Sequence, residues 1–227
     1  MNAKDKAVSN LQVGKSLPGT SRIVTNTTRY LLYTLLPNGN RQIISLLTRT
    51  VDVSEQGGEP LISVTQRYDN KEGFHTDIST VNRRTLEPLT YQSELSSRNE
   101  SFTFTPQLVQ GTITPVKGEP KIVTESLKDR IFNAVVEQEI IQSLPLKTGY
   151  AVTFKMYNPG NAFLNPTYRV ARSERLKIAN GTDIETWVIE SGAMTRWVSK
   201  RTQDLIMMKV QLTNGSQFWK VRLYSNE

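Results

Sequence analysis

Tyr30-Leu31-Leu32-Tyr33-Thr34-Leu35-Leu36, then Pro37-Asn38-Gly39-Asn40, then Arg41-Gln42-Ile43-Ile44-Ser45-Leu46-Leu47-Thr48-Arg49-Thr50-Val51-Asp52-Val53, is the stretch that decides the fold. Two runs rich in β-branched, aromatic and aliphatic residues flank an Asn-Gly pair. Glycine reaches positive φ without steric cost, so the pair closes a tight hairpin whose second strand is long. Tyr30–Leu36 is the longest apolar run of the chain. It has strand length and falls far short of the roughly 18–20 residues that cross a bilayer as a helix. Asn180-Gly181 and Asn214-Gly215 repeat the signal, each between alternating runs.

Working outward, Ser54–Pro60 reads as a loop. Leu61–Tyr68 and Phe74–Val81 read as a second hairpin. In its second strand Phe74, Thr76 and Ile78 face one way, and His75, Asp77 and Ser79 the other, as an exposed polar row. Further alternation places Tyr91 with Leu95, Phe102 with Phe104, Tyr150 with Val152, Phe154 and Met156, and Trp187 with Ile189. Pro88, Pro106 and Pro115 fall at strand ends, where a missing N–H costs least. Ile131–Leu144 is the single helical pattern, with Val136, Ile140 and Leu144 on one stripe. Ser126 and Asp129 offer a capping box before it, and Pro145 a stop after it. The reading is a mainly β chain of about 11–13 strands in one large antiparallel sheet, with one main helix lying on it. Residues 1–25 read as an extended N-terminal arm and 26–227 as a single domain.

Composition narrows the chemistry. The 227 residues contain one His and no Cys, which excludes thiolate nucleophiles and Cys-ligated metals. His75, Asp77 and Ser79 superficially suggest a triad, but residues two apart on a strand are about 6.6 Å apart, a row rather than a convergent site. The carboxylate pairs Glu137/Glu139 and Asp183/Glu185 have no partner visible in the sequence. Gly57-Gly58 lacks the Lys-Ser/Thr of a phosphate loop. No catalytic residue, metal site or cofactor is therefore expected. The net charge is +7, with Lys and Arg scattered rather than clustered. Trp219-Lys220-Val221-Arg222 alternates as a nucleic-acid-binding strand can, but equally as a half-buried strand, and no nucleic-acid partner is expected. The start, Met1-Asn-Ala-Lys-Asp-Lys, carries no apolar stretch of signal-peptide type.

Arg84-Thr-Leu-Glu-Pro-Leu-Thr-Tyr91, Leu144-Pro-Leu-Lys-Thr-Gly149 and Thr195-Arg-Trp-Val-Ser-Lys200, followed by Asn214-Gly215, resemble an uncharacterised bacterial family of exported proteins. The resemblance spans roughly residues 28–224 and implies the fold of the lipoprotein-localisation carriers. That fold is a strongly curved half-barrel with helices over its concave face. It also implies a periplasmic or exported location. No catalytic residue comes with it.

Two functions fit these readings. The first is a non-enzymatic envelope protein that holds an apolar ligand, a lipid or acyl chain, between curved sheet and helix. Phe154, Met156 and Trp187 would line the site with Ile140 and Leu144 from the helix. The second is a structural or interaction module that binds an envelope protein or glycan through the outer sheet face. The volume of any cavity between helix and sheet separates them: a packed, dry interface favours the second.

Overall fold

The computed structural model describes residues 8–158, 162–178 and 181–224. In chain order the strands are β1 (Ser9–Asn10), β2 (Asn26–Leu35), β3 (Arg41–Gln56), β4 (Glu59–Asn70), β5 (Gly73–Asn82), β6 (Pro88–Leu95), β7 (Arg98–Thr105), β8 (Leu108–Pro115) and β9 (Lys121–Ser126). They continue with β10 (Phe132–Asn133), β11 (Ala151–Thr153), β12 (Met156–Asn158), β13 (Ala162–Leu164), β14 (Thr167–Lys177), β15 (Asp183–Ser191), β16 (Met194–Ser199), β17 (Leu205–Gln211) and β18 (Gln217–Leu223). Thirteen of them have six or more residues, which is the upper end of the expected count. Among the described residues a single α-helix, α1 (Glu137–Ser143), follows a 3₁₀ turn at Ala134–Val136.

Fifteen strands form one sheet in the order β1-β11-β14-β15-β16-β17-β18-β2-β3-β4-β5-β6-β7-β8-β9. The sheet is curved and does not close into a barrel. Its pairings are antiparallel except β1 with β11, and most join sequence neighbours through hairpins. The pairing of β18 with β2, Trp219 opposite Tyr33, knits the last strand of the chain to the hairpin that opens the sheet. β10, β12 and β13 form a small separate sheet.

The Asn-Gly turns share one geometry. Leu36, Ile178 and Leu212 each donate N–H to the carbonyl four residues on and accept from the intervening glycine N–H, at 2.9–3.1 Å. Gly39, Gly181 and Gly215 all sit at φ near +82 to +85°. Asn180 itself lies outside the described residues. The expected loop Ser54–Pro60 is instead a two-residue turn. β3 and β4 pair up to Gln56 and Glu59, leaving only Gly57 and Gly58, both at positive φ, between them.

The helix is shorter than its pattern. Phe132 and Asn133 pair with Met156 and Tyr157 as strand, and Phe132 N–H bonds the Lys155 carbonyl at 2.9 Å. The Asn133 side chain then accepts from Val135 N–H at 2.8 Å, so the cap is Asn133 and not Ser126. The apolar residues 131–136 satisfy a helical stripe, but their backbone groups are already engaged by the small sheet. Pro145 ends α1 as expected: Leu144 before it is extended, at ψ 153°.

The main core lies between the concave face and α1. It includes Tyr30, Leu32, Leu47, Val64, Ile140 and Phe154. Leu17 and Ile23, from the region read as an arm, are buried in it, and Ser9–Asn10 adds a short edge strand beside β11. A second cluster around Phe102, Phe104, Val109, Ile131 and Tyr157 sits under the small sheet.

Candidate interaction surface

The concave face is filled. Phe154, Met156, Ile140 and Leu144 are buried in one cluster, with Trp187 packed against it. The Phe154 ring stacks on Tyr168 at 4.8 Å and meets Phe132 edge-on at 5.8 Å. The five residues expected to line a ligand site therefore do come together, as packing partners. Of the described cavities, the one that touches α1, beside Tyr30, Arg49, Glu139 and Gln142, holds about 20 Å³, room for one water.

Charge is also buried there. Arg49 from β3 donates from both terminal nitrogens to Glu139 of α1, at 2.7 and 2.5 Å, and also to the Val135 carbonyl at 3.3 Å. Burial pulls the Arg49 proton affinity down, but the Glu139 carboxylate outweighs it and the guanidinium is held above its ordinary value. Arg196 from β16 donates to Glu137 at 2.5 Å, and the Tyr168 hydroxyl donates to the same oxygen. Between these pairs lies the Lys220 ammonium, 4.6 Å from the centre of the Tyr30 ring. Burial first, then the Arg49 charge, lowers its pKa to about 7. The sequence showed Glu137 and Glu139 as a bare pair; their partners are 59 and 90 residues away. The arrangement locks the helix to the sheet and leaves neither carboxylate free to act as a base.

His75, Asp77 and Ser79 face the concave side, not solvent as the alternation suggested. The His75 ring stacks on Tyr68 at 4.4 Å, and its Nε2 lies 2.9 Å from Asp77 Oδ2. The Tyr91 hydroxyl donates to the other Asp77 oxygen at 2.9 Å. Ser79 is fully buried and donates to the Thr90 carbonyl at 3.4 Å, so no hydroxyl is presented to the imidazole. Among the described residues no group of three or more His, Cys, Asp or Glu could hold a metal ion.

The outer face differs. Register places Trp219, Tyr33 and Ile43 in one row across β18, β2 and β3, and Met207, Val221, Leu31 and Leu46 in the next. Trp197 opposes Met207 on the same face. The Trp219 ring stacks on Tyr33 at 6.3 Å and on Trp197 at 6.2 Å, with interplanar angles of 8° and 16°. A bulge at Ile44 brings an extra aliphatic side chain to the same end. Ile43, Ile44, Leu46 and, two strands on, Phe74 are 63, 42, 37 and 40% exposed. Single exposed aliphatics are ordinary, but an exposed cluster running into an aromatic row marks a contact surface.

Cations frame this ridge. The Arg41 guanidinium lies 5.4 Å from the Tyr33 ring and the Lys209 ammonium 5.9 Å from Trp219. Among the described residues neither has an acidic partner, nor does Arg29. Of the acids on this face, Asp69 is paired with Arg67 at 3.0 Å and Glu190 with Arg172 at 3.3 Å, whereas Asp52 and Glu94 have no ion-pair partner among the described residues.

A smaller feature lies beside the small sheet. Leu127, Ile131, Phe163 and Leu164 form the apolar walls of a groove of about 360 Å³, with Lys128, Asp129 and Lys155 at its rim. Lys155 is ion-paired with Asp129. A larger groove, about 740 Å³, runs past Lys200, Arg201 and Arg222, but Lys200 and Arg222 are already paired with Glu185 and Asp204.

The protein is thus an open, curved β-sheet with a filled concave face and an apolar, cation-framed outer ridge. By sequence it belongs to the family of proteins of unknown function designated DUF3108, which matches residues 38–222. Comparison with curated proteins finds no match. No helix among the described residues is long and apolar enough to cross a membrane.

Proposed function

We propose that this protein is a non-enzymatic interaction module of the bacterial cell envelope that works through the outer face of its sheet. The observation that carries this reading is the half-buried Trp219–Tyr33 pair, backed by the buried Trp197, with the exposed Ile43, Ile44, Leu46 and Phe74 beside it. Burying that much apolar surface against a partner is favourable at roughly 25 cal/mol per Å² before ordering costs. The filled space under α1 argues in the same direction, because it gives an enclosed acyl chain no room. The envelope location, and kinship with the half-barrel of the lipoprotein-localisation carriers, rest on the sequence motifs and on an open sheet with a helix on its concave side. The test is a photo-crosslinking residue in place of Ile43 or Phe74, with Thr103 on the polar part of the outer face as control. Discrete adducts from the first two positions and none from the third are expected in cells. No adduct from either ridge position would overturn the reading.

A second reading keeps the apolar ligand but moves it to the groove beside the small sheet. An acyl chain would lie along Leu127, Ile131, Phe163 and Leu164, with its anionic head at Lys128. Native mass spectrometry and titration with a fluorescent fatty acid test it. Binding that Leu164→Asp abolishes supports it, and protein that stays ligand-free in both assays excludes it.

A further inference from the structure

We propose that the surface met by the outer ridge is an anionic lipid bilayer. The inference rests on the outer-face reading and adds the chemistry of the partner.

Three features point to it. The aliphatic side chains Ile43, Ile44 and Phe74 lie next to the hairpin turns at 36–40 and 70–73, so they gather toward one rim of the sheet, where shallow insertion needs no cavity. Behind them stand Tyr33 and Trp219, ring types that favour the boundary between hydrocarbon and headgroups because one edge is apolar and the other polar. Among the described residues Arg29, Arg41 and Lys209 lie free around the aromatic end of the patch, and the unpaired acids Glu72 and Glu94 lie at its Phe74 end. Each juxtamembrane cation contributes about 1 kcal/mol near an anionic leaflet.

The cations around the aromatic end argue against a second copy of the chain. A two-fold contact through this patch would set Arg29, Arg41 and Lys209 against their own counterparts. A protein partner would need a surface that is both apolar and acidic opposite the aromatic end, whereas an anionic leaflet offers both properties by its composition.

The experiment is co-sedimentation of the purified chain with phosphatidylcholine vesicles, with and without about a third phosphatidylglycerol. It is run on the wild type, on Arg41→Gln, on Arg41→Gln/Lys209→Gln and on Ile43→Ser/Phe74→Ser. The expected result is binding to the anionic vesicles that weakens about fivefold for each cation removed and falls as salt rises. The Ile43/Phe74 variant should also lose binding while its circular dichroism stays unchanged. Vesicle binding that survives in all variants would overturn the proposal, because it would place the contact elsewhere. Absence of vesicle binding alongside a discrete protein adduct from the crosslinker at Ile43 would overturn it and leave the outer-face reading standing. A crosslink to a second copy would count the same way. Absence of both would remove both.

Discussion

Arg49 and Glu139 meet in a two-point ion pair at 2.7 and 2.5 Å, with side chains only 3 and 2% exposed. One comes from the longest strand of the sheet and the other from the only α-helix among the described residues, so the pair fixes where the helix sits. Neither residue identifies the other in sequence.

A buried pair is costly to break but not necessarily stabilising against an apolar substitute. Glu139→Ala should destabilise the fold by about 3–5 kcal/mol, because Arg49 is left charged and dry. Arg49→Met/Glu139→Leu should recover most of that loss. Urea denaturation of the two single variants and the double variant checks the cycle. Additive losses would show that the residues do not act as a pair.

Lys220 gives stability a pH slope. Its folded pKa is lowered from 10.5 to about 7, by burial first. Between those values the unfolded chain binds a proton that the folded chain does not. Stability therefore rises with pH through that window, by up to about 1.4 kcal/mol per unit, and the slope vanishes below the lower value. Lys220→Met should flatten the curve and stabilise the protein most near neutral pH. Thermal melts at pH 7 and pH 9.5 for both proteins make the comparison.

Gly111 in β8 is required by close approach of its neighbour, not by a turn. A Cβ there would lie 2.1 Å from the Ser101 carbonyl oxygen and 2.6 Å from the Phe102 ring. Gly111→Ala should cost about 1–3 kcal/mol by overpacking. Gly39→Ala, in open space but at φ +84°, should cost about 1–2 kcal/mol through backbone strain alone. Chemical denaturation separates the two mechanisms if Gly111→Ala also shifts the Phe102 ring resonances and Gly39→Ala does not.

The outer ridge should be dispensable for folding. Ile43 is 63% exposed, so Ile43→Ser should change stability by no more than about 0.5 kcal/mol. The same variant should lose partner crosslinks at Phe74. A large drop in melting temperature would show that the side chain serves the fold instead.

The opening hairpin already contained the clue to the ridge. Tyr30 and Leu32 point to the core, while Leu31, Tyr33 and Leu35 point outward and are equally apolar. A strand greasy on both faces belongs to a sheet covered on both sides. By its pattern the run reads only as strand. That one face lacks a cover among the described residues is not written in its period. Likewise the large apolar residues on strand faces divide in a way that periodicity cannot show: Phe154, Met156, Trp187 and Phe218 lie on the concave side, and Trp197 and Met207 on the outer one.

Alternation and turn chemistry alone determined that this is an antiparallel β protein, where its hairpins fall and that Pro145 stops its helix. These are local consequences: strand period, positive φ at glycine and the geometry before proline act within a few residues. Only the tertiary structure decided which side of the sheet is concave, that the helix seals it through Arg49–Glu139 and Arg196–Glu137, and that His75 faces inward. Those outcomes depend on the sense in which a fifteen-stranded sheet curves and on pairs made across 59 and 90 residues, where a period of two carries no information.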